Sequence, residues 1–322
     1  MAAPVRDIAG LGEDCDVTGA AARPSWGRTM RERQGVGPEG FEELRPLLFS
    51  IAYRMLGSVS DAEDVVQEAY VRWTAAEPGE VRSTKAYLSK VVTNLCVDRL
   101  RSARRHRETY VGPWLPEPLL EDHAPDASER VEVAETLSMA FLLVLESLSP
   151  LERAAFLLHE VFAYDYSELA EMLGRTEVAC RQLVHRAKQH VAARRPRFHV
   201  DEATQRELLR SFTTACVQGD VDALAALLTE DVVLKSDSGG RAPAARRPIH
   251  GARRVARFLV NILRKAPHDL ATRVVSVNGQ PGLANYTGDK LDSVVSLDFA
   301  EGRIQGVHIV VNPEKLPVSS PE

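Results

Sequence analysis

Long apolar runs are missing from this sequence: nowhere does it approach the roughly 20 consecutive apolar residues that span a bilayer. Its first residues also lack the charged-then-apolar order of a secretory leader. Both absences lead us to expect a cytoplasmic protein without a membrane partner. Cysteine is scarce. Cys15, Cys96, Cys180 and Cys216 lie far apart, with no CxxC pair and no histidine at ligand spacing, which speaks against zinc and fits buried thiols in a reducing compartment. No metal and no cofactor is expected. Aromatic residues make up only 6% of the chain, so few rings are on hand to stack unpaired bases. The chain lacks a basic excess as well. Its net charge is -5, and any nucleic-acid contact must come from local basic runs.

What is present is 322 residues with 44% hydrophobic content, enough for two or three compact domains. Residues 1–38 are rich in Gly, Ala, Pro and charge without periodicity, and read as a disordered extension in which Met30 is an alternative start. In 39–108 apolar residues recur at helical spacing, broken near Gly57 and around Glu77 to Ser83. Residues 109–130 hold Pro113, Pro116, Pro118 and Pro125 and read as a linker. A second helical block, 131–197, ends in Arg194, Arg195 and Arg197. Beyond it helices are expected at 201–218, 220–228 and 251–265, then alternating strands at 272–277, 293–299 and 303–311. That order reads as an α+β domain over 201–316, with a short tail at 317–322.

The segment Asp61–Trp73 (DAEDVVQEAYVRW) places Ala62, Val65, Val66, Ala69, Tyr70 and Trp73 on one stripe. Its other face carries Asp61, Glu63, Asp64, Gln67 and Glu68, with the three acids Asp61, Glu63 and Asp64 expected in the first turn, where the helix dipole favours negative charge. The next helix, Lys85–Arg107, turns Leu88, Val91, Val92, Leu95 and Leu100 inward and ends basic, with Arg99, Arg101, Arg104, Arg105 and Arg107 able to neutralise phosphates.

Further on, Tyr166–Gln189 contains a short apolar helix, Gly174 as C-cap and Thr176 as N-cap of a second helix. Val178, Cys180, Leu183 and Val184 are the apolar residues from which that helix draws its inner face. Glu177, Arg181, Gln182, His185, Arg186 and Lys188 point mostly outward, a chemistry suited to base edges and phosphates.

The string DAEDVVQE closely resembles region 2.2 of the sigma-70 family, and Leu148–Leu158 with Tyr164–Gln189 resembles its region 4. Two such regions joined by a short linker, without regions 1.1 and 3, resemble the extracytoplasmic-function (ECF) sigma factors. The resemblance implies a multidomain fold: two all-α sigma domains, the region 2 helical bundle and the region 4 helix-turn-helix. It also implies core RNA polymerase (β′ clamp and β flap) and promoter DNA as partners. Asp61, Glu63, Asp64, Gln67 and Glu68 would dock on polymerase. Lys85, Lys90, Asn94, Arg99 and Arg101 would meet the minus-10 element, and Arg175, Thr176, Arg181, Gln182, His185, Arg186 and Lys188 the minus-35 element.

Residues 201–316 resemble a SnoaL-like cone domain, an α+β fold related to nuclear transport factor 2, through the opening helix, Gly219-Asp220, Pro248–Phe258 and Asn278–Ala284. Sigma factors fused to this domain carry three strings: W-L-P-E-P in the linker, D-G-G-G-[KR] in the domain and N-P-D-K-L near the end. Here they read Trp114, Leu115, Pro116, Glu117, Pro118; then Asp237, Ser238, Gly239, Gly240, Arg241; then Asn312, Pro313, Glu314, Lys315, Leu316. Ser238 and Glu314 depart from the pattern. The resemblance implies that the fused domain regulates the sigma core in cis, through a high local concentration of weak contacts.

Two other readings compete. A cone fold holds a pocket, and Asp231, Asp237, His250, Asp298 and His308 could supply an acid–base pair, although nothing in their spacing makes any two converge. No enzyme activity is expected; a ligand held without chemistry is the more natural use of a pocket, and the sequence names no such small molecule. The runner-up function is a ligand-controlled helix-turn-helix regulator that works without polymerase, against which the Asp61–Glu68 string stands.

Overall fold

The computed structural model describes residues 38–76, 83–107, 110–121, 136–194 and 200–317. The expected N-terminal extension lies outside the described residues except for Pro38, and so do Cys15, Met30 and residues 318–322 of the tail.

The first block is three helices: α1 (Pro38–Leu56), α2 (Val59–Thr74) and α3 (Thr84–Arg107). Gly57, at φ 67°, turns α1 into α2, a left-handed backbone that glycine adopts without steric cost. Ser58 then caps α2, its side chain accepting from the Asp61 N–H. Ala62, Val65, Val66, Ala69 and Trp73 form the buried stripe, while Tyr70 is only half-buried. Because α2 starts at Val59, only Asp61 sits in its first turn. The dipole stabilisation expected for three acids therefore reaches one, Glu63 and Asp64 lying past the turn where the effect fades.

The second block runs through α4 (Met139–Leu145), α5 (Pro150–Phe156) continued by a π-helical turn (Leu157–Val161), α6 (Tyr166–Leu173) and α7 (Glu177–Arg194). Ser149 and Asp165 each form a capping box, with Glu152 and Glu168. Gly174 closes α6 in the left-handed conformation, and the Thr176 hydroxyl accepts from the Ala179 N–H at 3.2 Å. The structure corrects one inner position: Val178 is 62% exposed, and the buried face is Cys180, Leu183, Val184, Ala187 and Val191. Val178 lies two residues before Cys180, about 200° around the helix, so both cannot face the same core. The two helical blocks share a single hydrophobic core that runs from Phe41 to Val191.

The C-terminal block opens with α8 (Glu202–Gln218) and α9 (Val221–Leu227), and α10 (Ala252–Leu263) follows later. Its sheet has the order β1-β4-β5-β6-β7-β2-β3, formed by β1 (Leu120–Glu121), β2 (Leu228–Asp237), β3 (Ile249–His250), β4 (Leu270–Val277), β5 (Gln280–Thr287), β6 (Lys290–Ala300) and β7 (Arg303–Val310). Among the described strands only the β2–β7 pair is parallel. The expected strands are β4, β6 and β7. Missing from the expectation are β2, whose Glu230, Asp231 and Asp237 break the apolar alternation, and β5, which carries the strand breakers Pro281 and Gly282. One sheet face packs on the helices through Leu283, Val295, Leu297, Phe299, Ile304 and Val307. The other carries Val277, Ala284, Leu291 and Val294 and receives Leu120 from the linker and Leu316 from the C-terminal segment. The linker thus enters the domain as its edge strand, Leu120 pairing with Val277.

Candidate nucleic-acid and polymerase interface

The acidic side of α2 faces solvent with Asp61, Asp64 and Gln67 exposed and Glu63 and Glu68 half-buried. It is not bare of cations. Arg45 pairs with Glu63 and Arg72 with Glu68, both at 2.6 Å. Arg99 reaches across from α3, donating to the Asp61 carbonyl at 3.2 Å and its carboxylate at 3.3 Å, with Asp64 at 3.7 Å and Glu68 at 4.0 Å. Arg99, expected among the minus-10 residues, lays its guanidinium against this acidic face. Lys90, Asn94 and Arg101 are exposed on α3, Arg101 paired with Asp98 at 3.2 Å. The side chains of Arg104, Arg105 and Arg107 lie outside the described residues. Lys85 is half-buried, its ammonium 5.3 Å from the ring of Tyr164 in the second block, a distance at which the ring face attracts the cation.

On α7 and its approach, Arg175, Thr176, Arg181, Gln182, His185, Arg186 and Lys188 are all exposed. Several are held by neighbours. Arg181 pairs with Glu177 and lies 5.0 Å from the Tyr166 ring, Arg186 pairs with Glu152 at 3.0 Å and Lys188 with Glu160 at 2.8 Å. The Arg181–Glu177 pair, exposed on both sides, is of a kind that contributes at most about 1 kcal/mol.

The three strings meet at one junction. Asp237, fully buried, accepts from the Tyr110 hydroxyl, the Leu115 N–H (2.7 Å), the Gly239 N–H (3.1 Å) and the Lys315 ammonium (2.8 Å). Lys315 also donates to the Leu115 carbonyl at 2.6 Å and lies 4.2 Å from the Trp114 ring centroid and 5.2 Å from that of Tyr110. Burial, followed by the bond to Asp237, pushes the Tyr110 phenol well above its ordinary value. Asn312 donates to the Tyr110 oxygen at 3.1 Å, Arg241 pairs with Glu314 at 2.6 Å, and Gly240 packs on Val111. Gly239 and Gly240 both need positive φ, whereas Ser238 does not, which explains why serine is tolerated there. Of the predicted junction residues, Pro313 stays exposed and Leu316 half-buried.

The rest of the WLPEP string grips α1 and α2. Trp114 and Pro116 lie against Gly57. The Glu117 carboxylate accepts from the Val59 N–H at 2.6 Å and the Ser58 hydroxyl at 3.0 Å, so the linker caps the N-terminus of the acidic helix. Tyr53 donates to the Glu117 carbonyl at 2.6 Å and accepts from Asn278 at the same distance. Asn278, at φ 53°, also exchanges backbone and side-chain bonds with Leu119. Tyr53, Tyr110 and Asn278 escaped sequence reasoning as junction residues. Asn278-Gly279 carries a hairpin signal, but only the tertiary fold shows what it touches.

Two buried guanidiniums tie the helical blocks together. Arg153 donates to the Met55 carbonyl at 2.6 Å and pairs with Glu146 at 2.8 Å, and Arg54 donates to Thr136 at 3.0 Å. Burial lowers both to about 10. In the cone domain the spacing gave no reason for Asp298 and His308 to meet, yet they do, at 2.6 Å. A sheet register that sets Asp298 opposite Gly306 and Ser296 opposite His308 brings them together, and any Cβ at Gly306 would strike the Asp298 carboxylate.

An acidic helix braced by a basic one, then a helix-turn-helix, defines a promoter-specificity subunit of the sigma-70 type. Residues 41–106 match the family model for Sigma-70 region 2 and residues 138–191 that for Sigma-70, region 4. The chain is 37% identical over 287 residues to the ECF RNA polymerase sigma factor SigJ of Mycobacterium tuberculosis, covering 85% of this chain and 91% of that one. It is 33% identical over 282 residues to the Probable ECF RNA polymerase sigma factor SigI of the same species, at 84% and 92% coverage. The crystal structure of M. tuberculosis SigJ superposes at a TM-score of 0.69 and 32% identity, over 88% of this chain and all of that one. The chain belongs to the ECF RNA polymerase sigma factors. Its function is theirs, promoter-directed initiation of transcription, with a C-terminal α+β SnoaL-like domain added to the two helical sigma domains.

Proposed function

We propose that this sigma factor is held closed by its own linker and C-terminal domain, and that release of the junction around Asp237 and Lys315 sets its activity. In this reading the acidic face of α2 docks on the β′ clamp, the second helical domain meets the β flap, α3 contributes to the minus-10 contact and α7 reads the minus-35 element. It acts in the cytoplasm, by binding and not by turnover.

The closeness of Lys85 and Arg181, linked through one short loop, carries the proposal. Lys85 lies on Tyr164 and Arg181 on Tyr166, so residues assigned to two promoter elements sit within about 30 Å of each other. The elements themselves are about 25 base pairs apart, on the order of 80 Å at roughly 3.4 Å per step. One closed body cannot engage both. The interface that must part lies in the shared apolar core and contains the buried groups Arg54 and Arg153, each hydrogen-bonded across it. The linker, stitched as β1 to the cone domain, is the element that couples the two.

The test is run-off transcription with purified core polymerase, comparing the full chain with truncations near residue 200 and just before Asn312, each checked for folding. Initiation that depends on core enzyme and changes in rate on truncation supports the reading. Equal rates in all three forms sink regulation in cis. A failure to bind core polymerase in every form would instead favour a free-standing DNA-binding regulator.

A further inference from the structure

Residues 241–265 hold eight arginines and lysines and no acidic residue, in a chain where acids outnumber those cations 45 to 40. Apart from Arg241, which pairs with Glu314 at the junction, the proposed function does not use this run. It builds α10 and the loop before it, and the buried face of α10 is Val255, Ala256, Leu259 and Val260. At roughly 100° per residue, Arg253, Arg257 and Arg264 fall within about 40° of one another on one exposed flank of the helix, about 110° from the centre of the buried face, in a line about 16 Å long. Arg254 and Lys265 flank that line, and all five are exposed.

The helix dipole favours Arg264 and Lys265 at the C-terminal end, but helix stability does not account for Arg253, Arg254 and Arg257. Cations in the first turn oppose the helix dipole, like charges at i and i+4 repel, and the N-cap, Gly251, offers no side-chain bond. Of the five, Arg253 pairs with Asp222 at 3.1 Å, both largely exposed. Arg254, Arg257, Arg264 and Lys265 make no ion pair among the described residues. A row of arginines suits the phosphodiester backbone, because each planar guanidinium can bind phosphate with two parallel hydrogen bonds.

Reach selects the polyanion. The DNA-reading helix α7 ends at Arg194 and α8 of the cone domain starts at Glu202. The eight peptide steps between them span at most about 29 Å. Wherever α7 lies in a groove, the cone domain is held beside the same duplex. We infer that the arginine face of α10 binds the phosphate backbone of the DNA flanking the element that α7 reads. This rests on the reading of α7 as the minus-35 helix.

The test measures holoenzyme binding to two promoter fragments by fluorescence anisotropy across a salt series, one fragment ending at the minus-35 element and one extended upstream. Wild-type protein is compared with R253Q/R257Q/R264Q and with the charge-keeping R253K/R257K/R264K. On the long fragment the glutamine variant should show a log K against log salt slope shallower by about 3, at roughly 0.9 per phosphate contact. Its advantage on the long fragment should vanish while the lysine variant retains it, the short fragment serving as internal reference. An unchanged slope and advantage in the glutamine variant overturns the inference, as does an equal loss on both fragments. Retention of wild-type protein alone on phosphatidylglycerol vesicles, with no effect on DNA, overturns it in favour of a membrane. If wild-type holoenzyme binds neither fragment, the minus-35 reading fails and takes the inference with it; a wild type that binds both equally sinks the inference alone.

Discussion

Lys315 and Asp237 form an ion pair at 2.8 Å with side-chain exposures of 8% and 0%, joining the end of the chain to the start of the DSGGR loop. Because Asp237 also accepts from Leu115, the same carboxylate fixes the linker between the two sigma domains. A buried carboxylate that loses its cation is left without charge compensation, and that sets the first expectation.

Lys315→Met should cost about 3–5 kcal/mol, whereas Asp237→Asn together with Lys315→Met should cost clearly less than the sum of the single changes. Urea unfolding of the four proteins measures the coupling. Limited proteolysis within 110–121 should quicken in the single lysine variant if the junction pins the linker.

Gly57 and Gly174 both adopt positive φ, but a Cβ on Gly57 would meet the Trp114 ring at 2.9 Å while Gly174 has open space around it. Gly174→Ala should therefore cost only the left-handed backbone penalty, about 1–2 kcal/mol, and Gly57→Ala more. Tryptophan emission should shift in the second variant alone. Equal costs and unchanged spectra would remove Trp114 from the account.

Asp64→Lys or Glu68→Lys reverses charge on the exposed face of α2 without touching its buried stripe. Core polymerase binding should weaken by about 2–5 kcal/mol with far-ultraviolet circular dichroism unchanged. A variant that still binds core enzyme at full affinity moves the docking surface elsewhere.

Three phenols, Tyr53 and Tyr110 at the junction and Tyr164 between the helical blocks, set a pH limit. Burial raises Tyr53 and Tyr110 well above the ordinary 10.0 and pushes Tyr164 up to about 12, so the folded state favours their neutral form. The stability they contribute is fully present below about pH 10 and is lost as pH rises through the folded values. Tyrosinate absorbance should appear late for these three, together with faster cleavage of the linker. Early ionisation of all seven tyrosines would show that the junction is open in solution.

Much of the fold could be read from the chain because helical periodicity is local. The breaks at Gly57 and Gly174, the stripe of α2 and the cap at Thr176 each depend on residues within a turn or two of one another. β2 and β5 escaped that reading, since strands carrying Glu230, Asp231, Pro281 and Gly282 are stabilised by their sheet neighbours and not by their own propensity. Val178 is apolar, yet its position around α7 turns it to solvent, away from the face of Cys180 and Val184.

By itself the sequence determined the order of the domains, the acidic and basic helices, the helix-turn-helix and the three strings of the junction, since each is written in contiguous residues. Only the tertiary structure decided that Asp237 takes Lys315 as its partner, that Arg99 turns to α2, that Asp298 meets His308 and that both helical domains share one core. Those contacts join residues far apart in the chain, and their geometry follows from sheet register and helix packing, which no local pattern specifies.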